Sequence, residues 1–150
     1  MRNDVVDHDK VGLTDEAATM PIERGKIREF ARAVKDPGPQ YLDGPEPLAP
    51  PTFLMTIAHW PGDPGTTRSA VKLDYRRLLH GEQEFEYLRA IRAGDVLTFR
   101  SRTKDVFEKA GKRGGKMLFV VSETEFRDQR GQVVAYTRTT AIETEGAVQG

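Results

Sequence analysis

Few side chains in this 150-residue chain are equipped for chemistry, and their spacing narrows the choice further. Its imidazoles are His8, His59 and His80. None of them stands at HExxH-type spacing, so no metal site is expected. Cysteine is absent, which excludes a thiolate nucleophile, a Cys-containing zinc site and a disulfide framework together. His8 lies in polar sequence and suits a solvated side chain, while His59 ends an apolar run, where a satisfied structural histidine is the common outcome. Asp36 precedes Pro37 and Gly38, and by itself that run reads as a helix-terminating carboxylate in a turn. The amides of Phe53 and Leu54 open an apolar run. First-turn donors can stabilise an oxyanion with no particular side chain required, although Thr52 as N-cap would satisfy part of the set. Lys109, Lys112, Arg113 and Lys116 cluster at one turn. They could attract phosphates or an acidic partner, but a soluble hairpin tip that resists edge aggregation is the favoured reading.

The elements that must position these groups follow from pattern. With 150 residues, one domain fits better than two, and the chain is long enough to bury a sizeable core. Basic and acidic side chains balance at 23 each, against the net basic surface of a nucleic-acid binder. No apolar run approaches the ~20 residues of a membrane span, so no membrane association and a cytoplasmic location are expected. Residues 1–18 read as a flexible or loosely docked arm, 19–145 as a single domain and 146–150 as a tail. Residues 19–22 suit a short edge strand that tolerates Pro21. Ile27, Phe30, Ala31 and Val34 then repeat at helical spacing until Asp36-Pro37 stops the helix. Six of the nine prolines fall from Pro37 to Pro51, which predicts an ordered loop or an extended crossing. Phe53 to Trp60 is apolar on nearly every side, as a buried helix should be.

From residue 82 the period becomes two. Gln83, Phe85 and Tyr87 alternate with Glu82, Glu84 and Glu86. Strands are expected from Val96, over Met117–Phe126 and over Val133–Ile142, joined by turns at 109–116 and 128–131. The class is α+β, with helices on one face of an antiparallel sheet. Two architectures remain open on periodicity alone: a hot-dog fold, with the sheet wrapped around the buried helix, and a cystatin-like cone enclosing a pocket.

Three separated segments narrow this. Ile22-Glu23-Arg24-Gly25-Lys26-Ile27-Arg28-Glu29-Phe30-Ala31-Arg32-Ala33 resembles the leading helix of the MaoC-like dehydratases, in the branch similar to the N-terminal dehydratase of fatty acid synthase. Leu79-His80-Gly81-Glu82-Gln83-Glu84-Phe85-Glu86-Tyr87 and Arg92-Ala93-Gly94-Asp95-Val96-Leu97 follow in the order that family shows, so the resemblance spans residues 20–143. It implies a hot-dog fold, a homodimer or heterodimer of two such units, and acyl-thioester substrates carried on coenzyme A or acyl carrier protein, with no resident cofactor. The implied reaction is reversible hydration of a trans-2-enoyl thioester to a 3-hydroxyacyl thioester. Active members carry Gly-Asp-x-Asn-Pro-x-His, where this chain reads Lys35-Asp36-Pro37-Gly38-Pro39-Gln40-Tyr41. Asp36 keeps its register and could orient water, but Tyr41 stands at the histidine position. A phenol of pKa ~10 exchanges protons at neutral pH less readily than an imidazole of ~6.5.

The chain therefore reads as the half of an (R)-specific hydratase/dehydratase that lacks the general acid/base histidine. In that reading Tyr41 packs or bonds a substrate carbonyl, the Phe53 and Leu54 amides contact substrate, and His80 is a secondary binding candidate that organises a strand start. The alternative is a non-catalytic acyl-thioester-binding or scaffold module. A thioesterase ranks low, because Phe53–Trp60 offers no carboxylate to activate water. The reading requires the Phe53–Trp60 segment to be enclosed by the sheet, with the Asp36–Tyr41 loop bordering a tunnel.

Overall fold

The structure, a computed structural model, describes residues 8–59, 71–111 and 115–146. Trp60, Lys112, Arg113, the turn at 61–65 and the side chains of His8 and His59 lie outside the described residues. Strand β1 (Ala18–Pro21) leads into helix α1 (Arg24–Ala33) and the single-turn helix α2 (Pro39–Leu42). A 3-10 helix (Phe53–His59) follows, then strands β2 (Leu78–Tyr87), β3 (Val96–Ala110), β4 (Lys116–Arg127) and β5 (Val133–Thr144). They form one antiparallel sheet in the order β1-β3-β4-β5-β2. Pro21, which has no N–H to give to a ladder, sits on the edge strand as its chemistry requires. Residues 12–15 of the arm are docked: Gly12 N–H donates to the Thr103 carbonyl, Thr103 N–H to Leu13, and Asp15 N–H to Ser101.

Alternation sorts the sheet into two faces. Leu97, Phe99, Phe126 and Ala135 point inward and pack with Ile27 and Ala31 of α1 and with Phe53 and Leu54, in one buried cluster. Phe30 meets Phe53 edge to face at 5.5 Å. A smaller cluster of Val71, Val106 and Val120 covers the far end of the same face. The outer face carries a charged network around Glu123 and, beside it, the stacked rings of Phe107 and Phe119.

Helix α1 ends in a Schellman motif. Asp36 N–H donates to Ala31 and Lys35 N–H to Arg32, with Lys35 itself left-handed at φ 60°. Pro37 follows directly, so the helix stops where the residue before a proline must leave the α region. The proline-rich stretch is an extended crossing in which Pro47 and Pro50 are fully buried. It is held by Ala49 N–H to the Ile91 carbonyl and Ala93 N–H to the Pro47 carbonyl.

The Phe53–His59 segment corrects the expectation of an enclosed helix. Phe53 N–H donates to Pro50 and Met55 N–H to Thr52, the i to i+3 pattern of a 3-10 helix. With three residues per turn, side chains three apart stack along three edges. Phe53 with Thr56 and Leu54 with Ile57 face inward, and Met55 with Ala58 is the exposed edge. An all-round apolar run thus buries two of its three edges.

Candidate functional site

The segment from Asp36 to Tyr41 is built by its backbone. Asp36 gives its amide to the Schellman motif and its carboxylate is exposed, at the solvent side of the helix end. Gly38 is extended and precedes Pro39 at the first position of α2, which turns Tyr41 inward. Tyr41 is 9% exposed and belongs to the main core cluster. Asp36 and Tyr41, five residues apart in sequence, therefore face different environments. The clefts found among the described residues lie elsewhere. Two are on the outer sheet face and one is at the β4–β5 turn, and none is lined by Asp36, Tyr41, Phe53, Leu54 or His80. These clefts leave the loop aside, and the Tyr41 ring packs into the core beneath it.

The first-turn amides separate as well. The Phe53 amide is taken by the Pro50 carbonyl at 2.9 Å, so it has no hydrogen left for a ligand. Leu54, 1% exposed, donates to no described group and remains the candidate donor. His80 lies on the edge strand β2 opposite Ala141, just before a bulge, and is exposed.

Sequence reasoning missed Tyr87. Its hydroxyl donates to the Pro51 carbonyl at 2.6 Å, fixing the approach to the 3-10 helix against β2, while its ring stacks on Phe85. Burial pushes the phenol up to about 12. The Gly94-Asp95 pair proves to be a brace. Gly94 is left-handed at φ 95°, and Asp95 receives two hydrogen bonds from Arg89 and one from the Arg92 amide.

Charge concentrates on the outer face. Glu123 is buried, and burial alone would raise its pKa, but hydrogen bonds from Arg138, Arg102 and Lys104 outweigh this and hold it at about 2. Arg138 reaches on to Glu84 and Glu86 of β2. A cleft of about 470 Å³ opens over this network between Thr14, Arg100 and Tyr136. Among the described residues no grouping of His, Asp or Glu is suited to hold a metal, and no helix is long and apolar enough to cross a membrane.

Comparison with known proteins agrees with the geometry. The family described as the FAS1-like dehydratase domain region matches residues 9–137. A UPF0336 protein of Streptomyces coelicolor is 37% identical over 141 residues, covering 86% of this chain and 91% of that protein. Among solved structures, the C-terminally truncated HadBC (3R-hydroxyacyl-ACP dehydratase) complex of Mycobacterium tuberculosis superposes with a TM-score of 0.73 at 24% identity, covering 89% of this chain and 97% of that one. A MaoC-like dehydratase superposes with a TM-score of 0.74 at 27% identity, covering 89% of this chain and 42% of that one. The antiparallel sheet with its inner helices is thus a hot-dog fold rather than a cystatin-like cone, and the chain belongs to the FAS1-like dehydratase-region family of MaoC-like hot-dog proteins.

Proposed function

We propose that this chain is one half of an (R)-specific enoyl-thioester hydratase, equivalently a 3-hydroxyacyl-thioester dehydratase, and that it is the half without the general acid/base histidine. One observation carries the reading: the position of the family's histidine is held by Tyr41, packed in the core. Hydration needs a base to take a proton from water as its oxygen bonds C3, and an acid to return a proton to C2. In this proposal both come from the aspartate and histidine of a second MaoC-like chain. The present chain shapes the acyl pocket, Asp36 serves its turn and Tyr41 packs. The thioester rides on coenzyme A or acyl carrier protein, no resident cofactor takes part, and the setting is the cytoplasm. The similarity to the HadBC complex supports a paired arrangement. The edge strand β2, with Leu79 and Leu88 exposed at and beside it, offers a surface for that pairing.

The test is reconstitution. The purified chain alone should hydrate crotonyl thioesters at background rate, and adding a MaoC-like chain with an intact Asp-x4-His, encoded beside it, should give full turnover. Equal activity without the partner overturns the assignment. The exposure of Asp36 favours a second reading, a non-catalytic acyl-thioester-binding or scaffold module. It predicts thioester binding with no turnover in any such pairing.

A further inference from the structure

The outer face of the sheet is ordered by charge. Cross-strand rows run over β3, β4, β5 and β2, with a cation at the β3 end and an anion at the β2 end. The first is Arg100, Glu125, Tyr136 and Glu86, and the second is Arg102, Glu123, Arg138 and Glu84. At the β3 bulge Lys104 heads a third row, ahead of Val121, Thr140 and Glu82, while Asp105 accepts the Val106 amide at 2.8 Å. The fourth row is apolar: Phe107, Phe119, Ile142 and Leu79. Phe107 and Phe119 stack at 5.0 Å and stay half-buried.

One chain leaves this pattern incomplete. Arg138 bridges Glu84, Glu86 and Glu123, but Arg100 and Glu82 at the row ends are exposed and make no ion pair among the described residues. Two clefts, of about 470 and 330 Å³, open on this same face. An isologous contact requires a surface to fit itself, so that residue i meets j while j meets i. These rows meet that condition. A two-fold axis parallel to the strands, between β4 and β5, lays each row on its own copy in reverse. Arg100, Arg102 and Lys104 then oppose Glu86, Glu84 and Glu82 of the second copy. In the middle Glu123 opposes Arg138, and Phe119 opposes Ile142. Sheets packed face to face cross at about 30°, which displaces β3 from its opposite by about 4 Å, less than the spacing of about 7 Å between rows. Four rows on four strands cover about 500 Å² per copy, close to the total of about 1,000 Å² at which a specific interface is expected. That size suits a reversible pair.

We propose that the outer sheet face is a contact between two copies of this chain, with the cationic β3 of each lying over the anionic β2 of the other. The contact uses side chains and leaves the backbone edge of β2 open to a catalytic partner. Two catalytic pairs would then join, through this face, as four chains.

Sedimentation velocity of the full chain over a concentration series tests this. The native chain should associate reversibly. Arg100→Glu sets a carboxylate against Glu86 on both sides of the axis, and Glu86→Arg sets a guanidinium against Arg100 on both sides. Both positions are exposed, and Arg138 keeps Glu84 and Glu123 when Glu86 is replaced. Each variant alone should associate at least about tenfold more weakly. Mixed in equal amounts, the two should regain the native association, because every repulsive pair is replaced by an attractive one. Misfolding is not restored by mixing. Glu82→Lys, at an exposed residue with no ion pair of its own, should weaken association by a similar factor through Lys104 of the second copy. A native chain that stays a single copy overturns the proposal. So do variants that associate as the native chain does, the result expected if the β2 edge were the whole contact, and so does a mixture no stronger than its components.

Discussion

The Tyr87 hydroxyl donates to the Pro51 carbonyl across 2.6 Å and so ties the edge strand β2 to the residue two before the 3-10 helix. The bond takes up a carbonyl at the end of the proline-rich crossing, next to the buried Pro50. Tyr87→Phe keeps the stack on Phe85 and removes only this bond, so a loss of about 1 kcal/mol is expected, read by urea denaturation. The phenol also sets an alkaline limit. Its folded pKa of about 12 stands above the ordinary 10, so its contribution is complete below pH 10 and is lost as pH rises toward 12. Denaturation curves across that window should decline less steeply for Tyr87→Phe. An unchanged alkaline limb would show that the Pro51 bond does not depend on the protonated phenol.

Glu123 governs the opposite end of the pH scale. Its folded pKa of about 2 lies below the ordinary 4.5, so its stabilisation is present above pH 4.5 and disappears as pH falls toward 2. Glu123→Gln leaves Arg102, Lys104 and Arg138 facing one another without a central anion. The three cations retain partial solvent contact, which limits the penalty to about 2 kcal/mol at neutral pH. Thermal melts of both forms should differ at pH 7 and converge at the acid end. A constant difference throughout would refute the charge account.

The strands were legible because one face of each is buried, which imprints a period of two, and because Asp128 and Gly131 make the local bonds that close the β4–β5 turn. Helix α1 was legible from Ile27 and Ala31 for the same reason at a period near 3.6. The Phe53–His59 segment was not. A run apolar on all sides carries no period, so 3.0 and 3.6 residues per turn are indistinguishable, and the choice fell to carbonyls of Pro50 and Thr52. The loop from Asp36 to Tyr41 was legible in register and misleading in geometry. Spacing fixes position along the chain, whereas Pro39 and the Schellman motif decide which side chain turns inward. Tyr87 escaped because its meaning depends on Pro51, a partner distant in sequence.

Lys35 holds the left-handed position of the α1 Schellman motif at φ 60°, where a side chain is disfavoured and glycine is not. Lys35→Gly should stabilise the chain by up to about 1 kcal/mol, less some gain in unfolded-state entropy. Chemical denaturation midpoints measure it. Destabilisation would mean that the lysine side chain makes a compensating contact worth more than the strain.

Asp36 and Tyr41 separate packing from chemistry. If this half supplies the pocket and its partner the proton transfers, then neither the Asp36 carboxylate nor the Tyr41 hydroxyl enters the reaction. Asp36→Asn preserves the turn, and Tyr41→Phe preserves the buried ring. Both should change stability by less than about 0.5 kcal/mol and leave the pH profile of the reconstituted pair unaltered. Tyr41→Ala is the contrast, emptying a core position at a cost of about 3–5 kcal/mol. A fall in kcat of about a hundredfold or more for Asp36→Asn or Tyr41→Phe, at unchanged stability, is the size expected of a lost acid or base. It would move this chain from pocket wall to catalyst, and the shift of the pH profile would show which of the two groups carries the proton.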